Sequence, residues 1–200
     1  MTDFLRVILP IYFVVYFSVA IVLKSVLVAK RTGKNPFVLP KDDSVYGVVG
    51  FYFKLVLIAI FMYAVVYAVF PAWHSYFLPI QSLENQTIQC VGISLLFLSL
   101  VWTVIAQTQM KNSWRIGIDT GTRTELITVG LFSISRNPIF FGMIVTLLGV
   151  FLATPNAVTL FVLMFAYVLI QIQIRLEEEF LTKEHGDTYL QYKQNVRRLI

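Results

Sequence analysis

Polar side chains that could do chemistry lie directly beside long apolar stretches of this sequence. Arg136, Asn137 and Pro138 precede one apolar run, and three consecutive acids, residues 177–179, follow another. A proline interrupts the hydrogen-bond pattern of a helix, and an ionisable group at a membrane edge is costly unless protein surrounds it. Both segments are therefore candidates for a functional site.

Helical spacing separates the three acids onto different faces. Gln173 and Glu177 are four residues apart and share one face, as do Arg175 and Glu179. A carboxylate that faces protein could accept a proton or balance a positively charged ligand. The alternative is a solvated start of an interfacial helix, where negative charge is favourable.

The elements that must position these residues are apolar helices. Hydrophobic residues make up 58% of the 200-residue chain and charged residues only 14%, against about a quarter in soluble domains. Residues 7–23, 55–73, 88–110 and 137–174 contain no charged residue. A membrane-spanning helix needs about 20 apolar residues, and these runs are continuous rather than alternating. The sequence predicts an all-α integral membrane protein.

The last run is long enough for two crossings. It contains Pro155 in the sequence ATPN, which predicts a tight turn between helices at roughly 138–152 and 157–174. We therefore expect five spans and a C-terminal helical hairpin. Residues 1–110 would form a three-span scaffold, and residues 111–200 one unit holding the polar segments. The apolar and basic residues after residue 177 predict an amphipathic helix along the membrane, with a break near Gly186.

The excess of basic residues is explained better by membrane topology than by nucleic acid. The chain has 16 Lys and Arg against 11 Asp and Glu, a formal net charge of +5. Residues 71–87 and the ATPN turn contain neither Lys nor Arg. Since basic residues concentrate in cytoplasmic loops, the pattern predicts an outside N-terminus and a cytoplasmic C-terminus. The basic residues of the two predicted cytoplasmic loops are Lys30, Arg31, Lys34, Lys41, Lys111, Arg115, Arg123 and Arg136.

The two polar segments match a known pattern. LITVGLFSISRNPIFFGMIV, then a hairpin, then RLEEEFLTKEHGDTYLQYKQNVRRL resembles the C-terminal half of isoprenylcysteine carboxyl methyltransferase-like proteins. That superfamily includes phospholipid methyltransferases. The matching positions are Leu126, Gly130, Arg136, Asn137, Pro138, Gly142, Glu177, Glu178, Leu181, Gly186, Tyr189 and Tyr192.

Some positions depart from the pattern. Phe132 and Phe140 stand where the family has tyrosines, Asn137 stands where the eukaryotic enzyme has histidine, and Gln173 stands where some members have arginine. These changes argue against a prenylcysteine carboxylate as the substrate.

The resemblance implies a methyltransferase of the inner membrane of a prokaryote, which takes its methyl group from S-adenosylmethionine (SAM) at the cytoplasmic face. The methyl acceptor would be lipophilic, with a carboxylate, amine or thiol, and neither a metal nor a nucleic acid is expected. On this resemblance Glu177 is the catalytic candidate, and Gln173 and Arg175 are candidates for the substrate. The cofactor candidates are Glu125, Leu126, Ile127, Gly130, Phe132, Arg136, Asn137, Pro138, Ile139, Phe140 and Glu178.

Two other functions stay open at this point. Sterol reductases that bind NADPH share a similar C-terminal architecture, although their chains are longer and contain extra spans. A membrane protein that binds lipid without catalysis is the other alternative. Titration of SAM and NADPH would separate the two enzyme classes, and turnover on a lipid extract would separate both from the third.

Overall fold

The computed structural model describes residues 1–38, 42–117 and 125–200, and its regular structure is helical. Lys41 and Arg123, two of the basic residues used to predict topology, lie outside the described residues. The α-helices, in chain order, are α1 Thr2–Tyr16, α2 Lys24–Thr32, α3 Val45–Val69, α4 Gln86–Gln109, α5 Pro138–Ala153, α6 Ala157–His185 and α7 Asp187–Asn195. A π-helical segment, Phe17–Leu23, joins α1 to α2 without a break. The predicted fold class is confirmed.

Four helical stretches are long and apolar enough to cross a membrane: Thr2–Thr32, Val45–Val69, Gln86–Gln109 and Ala157–His185. The remaining apolar helix, α5, has 16 residues. At about 1.5 Å per residue it is roughly 24 Å long, which is less than the 30 Å hydrocarbon core. The protein is therefore a multi-pass membrane protein, and the fifth crossing stays a prediction.

Helices α4 and α5 pack closely because glycines line their contact. A Cβ placed on Gly92 would lie 2.4 Å from the backbone nitrogen of Ala153 and 2.7 Å from the carbonyl oxygen of Gly149. Further along the same contact, the hydroxyls of Ser99 and Thr146 are 2.9 Å apart and hydrogen-bonded. Small residues and hydroxyl pairs of this kind hold helices together in lipid, where there is no hydrophobic force between them.

We expect Gly92→Ala to destabilise the protein, because the new methyl group would meet backbone that cannot move aside. The cost should be about 1–3 kcal/mol, typical of overpacking. It would be measured as a lower unfolding midpoint in detergent. The neighbouring Val91→Ala is the control, since Val91 is exposed and its truncation should change stability by less than about 0.5 kcal/mol. Equal stability of Gly92→Ala and wild type would contradict the close packing.

The loops gather at two ends of the helix bundle. At one end the backbone N–H of Ile80 donates to the carbonyl oxygen of Pro155, so the segment after α3 contacts the α5–α6 turn. At the other end Ile116 exchanges two backbone hydrogen bonds with residues 36–38. This grouping matches the alternation of basic and non-basic loops in the sequence. The hydrogen bonds of Ile116 place residues 33–38 and the segment after α4 at the same end of the bundle.

The helical hairpin and the residues that follow it differ in part from the prediction. The turn falls where expected, with Asn156 capping α6 by accepting from the backbone N–H of Thr159. Helix α6 does not end near residue 174 but continues to His185, because no proline or glycine interrupts residues 175–185. The break comes at Gly186, whose φ is +54°, and the separate short helix α7 follows. The acids at 177–179 therefore lie within a long helix and are not the start of an interfacial one.

Candidate functional site

A cleft opens at the end of the bundle where α4 and α6 end and α5 begins. Its walls come from four parts of the chain: the segment after α4 (residues 110–117), the segment before α5 (residues 125–136), the last turns of α6, and α7. The described residues that line it are Met110, Ser113, Arg115, Gly117, Glu125, Leu126, Ile127, Phe132, Arg136, Glu177, Phe180, Leu181 and Tyr192. The two sequence segments that carry the family pattern therefore meet around one space.

Glu177 presents a carboxylate to this cleft. Its Oε1 accepts a hydrogen bond of 2.9 Å from the Gln173 side chain, which lies one turn earlier on α6 and is buried. Arg115 interacts electrostatically with Glu177, and its guanidinium lies 5.9 Å from the centre of the Phe180 ring, within cation–π range. The cleft thus contains a carboxyl group and a guanidinium cation, together with aromatic and aliphatic side chains.

The adjacent acid, Glu178, has a different environment. It is buried at 4% exposure and does not line the cleft. Its Oε1 accepts from Arg136 Nη2 at 2.8 Å and Nε at 3.2 Å, and Arg198 donates to both of its oxygens at 2.8 and 3.1 Å. Lys193 Nζ lies 3.7 Å from Oε2. Two neighbouring glutamates therefore separate into one that faces the cleft and one that holds an ion-pair network.

The segment before α5 is held in place by polar contacts on both sides. Gly130 has a φ of +66°, and the next backbone N–H, that of Leu131, donates to Gln109 Oε1 at 2.8 Å. On the other side the hydroxyl of Tyr192 donates to the carbonyl oxygen of Phe132 at 2.6 Å. Burial raises the pKa of Tyr192 to about 12, so the hydroxyl stays protonated and available as a donor at neutral pH.

Asn137 and Pro138 make structural contacts at the start of α5. Asn137 Nδ2 donates to the carbonyl oxygen of Arg198 at 3.0 Å, and Trp102 Nε1 donates to the carbonyl oxygen of Pro138 at 2.8 Å. Both residues are buried. Their part in cofactor binding stays a prediction.

The structure brings six of the predicted site residues to the cleft: Glu125, Leu126, Ile127, Phe132, Arg136 and Glu177. The predicted residues that do not line it are Gly130, Asn137, Pro138, Ile139, Phe140, Gln173, Arg175 and Glu178. Gln173 reaches the cleft indirectly through Glu177, whereas exposed Arg175 donates to Gln171 on its own helix. Phe140 lies beside Phe53 of α3, with the ring centres 6.5 Å apart.

Several cleft residues were not predicted as site residues. Leu181 and Tyr192 stand at family positions, and that signal could have identified them. Ser113, Arg115 and Gly117 lie in the sequence SWRIGID, which also resembles bacterial members of the family, and that signal could have identified them. Met110 and Phe180 carry no sequence signal that would have assigned them to the cleft.

Comparison with known proteins identifies a family for this chain. The model of the phospholipid methyltransferase family matches residues 87–188, which run from the start of α4 into α7 and make up half of the chain. No curated protein matches the chain. The matched region contains the segment before α5, the α5–α6 hairpin and both glutamates. The chain therefore belongs to the phospholipid methyltransferase family.

Proposed function

We propose that this membrane methyltransferase takes its methyl group from SAM, bound in the cleft, and transfers it to a lipophilic acceptor at the membrane interface. The observation that carries the proposal is that Glu177 and the segment 125–136 line one cleft at the end of an apolar helical bundle. A water-soluble donor and a lipid-borne acceptor have to meet at such a boundary.

The donor set of the cleft fits SAM. The cofactor carries a carboxylate, an ammonium group, a sulfonium and an adenine ring. The guanidinium group of Arg115 is suited to a carboxylate, and the Glu177 carboxylate is suited to either positive group. Leu126, Ile127 and Phe132 offer an apolar surface for the adenine. Bound SAM would supply an electrophilic methyl group next to these side chains.

Glu177 is proposed to accept a proton from the methyl acceptor or to stabilise positive charge during methyl transfer. If the acceptor is an amine or a thiol, the acceptor has to lose a proton, and the Glu177 carboxylate can take it. A carboxylate acceptor needs no base, and Glu177 would then act through its negative charge. The Gln173 amide, which donates to Glu177 Oε1, would keep the carboxylate oriented toward the cleft.

Phe180 and Leu181 would reduce the access of water to the same space. Excluding water and fixing orientation both lower the barrier of a displacement reaction.

The cleft is proposed to face the cytoplasm. It lies at the same end as the basic segments around Lys30, Arg31 and Lys111, and basic loops favour the cytoplasmic side. We expect a reporter fused after Leu83 to be outside and one fused at Ile200 to be inside. Alkaline phosphatase and fluorescent-protein fusions would measure the two positions. If both fusions reported the cytoplasm, the proposed five crossings would be wrong.

The experiment that tests the function is incubation of the purified protein with methyl-labelled SAM and a native membrane extract. We expect one lipid-soluble labelled product that depends on the protein. Treatment with mild base would separate a carboxylate acceptor from an amine or a thiol, because a methyl ester releases methanol whereas N-methyl and S-methyl groups are stable. Absence of any labelled product, with binding of NADPH instead of SAM, would contradict the proposal and favour a reductase. Binding of SAM without turnover on any extract would favour a non-catalytic protein.

A further inference from the structure

The C-terminal tail, residues 193–200, consists of the last turn of α7 and the residues after it. Backbone hydrogen bonds connect this tail to the segment before α5. Ser135 and Arg197 form a parallel bridge, and the backbone N–H of Arg136 donates to the carbonyl oxygen of Arg197 at 2.9 Å. One residue further along each segment, Asn137 Nδ2 donates to the carbonyl oxygen of Arg198. The tail is therefore fixed to defined backbone atoms and does not simply rest on the membrane surface.

Side-chain charges hold the same contact from both directions. Arg136 extends from the segment before α5 and donates through Nη1 to the carbonyl oxygens of Lys193 and Val196. Arg198 extends from the tail and donates to both oxygens of Glu178 on α6. The hydrogen bonds to Glu178 raise the pKa of Arg198 above its usual value, so this cation stays charged. One buried carboxylate thus joins three parts of the chain that are distant in sequence.

These contacts lie immediately behind one wall of the cleft. Phe132 and Arg136 line the cleft on the segment that the tail holds, and Glu177 precedes Glu178 on α6. A change in the position of the tail would therefore change the separation between that wall and Glu177. The side chain of Arg198 is outside the cleft, so its influence on the cleft has to pass through Glu178 and Asn137.

We propose that the docked C-terminal tail, fixed by Arg198, is a positioning element that sets the SAM-binding form of the cleft. This inference rests on the proposed function. If only the docked form binds SAM, the apparent affinity is reduced by the fraction of molecules in which the tail is undocked. Loosening the tail would then raise the KM for SAM, whereas saturating SAM would restore the docked form and most of kcat. A residue that acts on the reacting groups would change kcat instead.

The test compares Arg198→Ala with Arg198→Lys and with Arg197→Ala. Arg197 is the matched control, because its backbone takes part in the bridge while the residue itself is exposed. We expect Arg198→Ala to raise the KM for SAM by about 10- to 100-fold, as for the loss of charge-assisted hydrogen bonds, with kcat within about threefold of wild type. Arg198→Lys should recover part of the loss because it keeps the charge without the bidentate geometry. Arg197→Ala should stay within about twofold.

A second measurement follows the tail itself. Trypsin cleavage after Lys193 should be faster in Arg198→Ala than in wild type, and S-adenosylhomocysteine should slow it in both. Unchanged KM and unchanged cleavage in Arg198→Ala would overturn the proposal, as would an equal effect of Arg197→Ala. If Arg198→Ala does not fold, Arg198→Lys decides by the same two readouts. Failure of wild type to bind S-adenosylhomocysteine in calorimetry would instead refute the proposed function, which separates the two failures.

Discussion

The Glu177→Gln variant is expected to lose methyl transfer by about 10²- to 10⁴-fold, the range typical of a lost acid–base group, while still folding and inserting. Glutamine keeps the shape of the side chain and its contact with Gln173, but it removes the negative charge and the proton acceptor from the cleft. The measurement is the rate of labelled methyl transfer to a membrane extract, alongside the affinity for SAM. Loss of turnover with intact SAM binding would assign Glu177 to the acceptor or the proton. Loss of both would assign it to the cofactor.

Glu179→Gln is the matched control for this prediction. Glu179 is two residues away on the same helix, is exposed, and pairs only with Lys183 among the contacts described for it. Solvent screens an exposed pair of this kind, so turnover should stay close to wild type. If Glu177→Gln retained wild-type turnover, the assignment of Glu177 to the site would be wrong.

The Glu178→Ala variant is expected to lose about 3–5 kcal/mol of stability, which is the cost of removing one partner of a buried ion pair and leaving the other charge buried. Removal of the Glu178 carboxylate would leave the Arg136 side chain, which is 7% exposed, without its ion-pair partner. Arg198 would lose both of the oxygen atoms to which its side chain donates. Unfolding of the purified protein in mixed detergent would measure the loss. The effect should include a loosened tail, because Glu178 connects α6 to both arginines.

Glu179→Ala serves as the control for stability. Because the pair between Glu179 and Lys183 is exposed and screened by solvent, its loss should leave the unfolding midpoint close to that of wild type. Equal destabilisation by Glu178→Ala and Glu179→Ala would contradict the ion-pair network. A Glu178→Ala protein with normal stability but no SAM binding would instead support the sequence-based prediction that Glu178 contacts the cofactor.

The helices could be predicted from sequence because charge-free runs and prolines mark them directly. Residues 7–23, 88–110 and 157–174 lie almost wholly within observed helices, and the hairpin turn falls at Pro155. The lengths were harder to predict, because a helix can continue past the membrane edge wherever no residue breaks it. For this reason α6 includes the three acids, and α3 begins ten residues before the predicted run.

The site could be predicted only in part, because sequence does not show which way neighbouring side chains face. Successive residues on a helix are rotated by roughly 100°, so Glu177 and Glu178 necessarily point in different directions, but only the packing shows which one reaches the cleft. The contacts of Asn137 and Arg136 with the tail join residues about sixty positions apart. No local spacing rule connects such positions, so these residues were predicted for the cofactor alone.

Ultraviolet cross-linking of methyl-labelled SAM to the purified protein, followed by peptide mapping, tests the central claim most directly. The claim is that SAM binds in the cleft between the segment before α5 and the end of α6. We predict label on residues 125–136 or 177–192, displaced by S-adenosylhomocysteine and unaffected by NADPH. Label on residues 71–85 at the opposite end of the bundle, or no label that S-adenosylhomocysteine displaces, would contradict it.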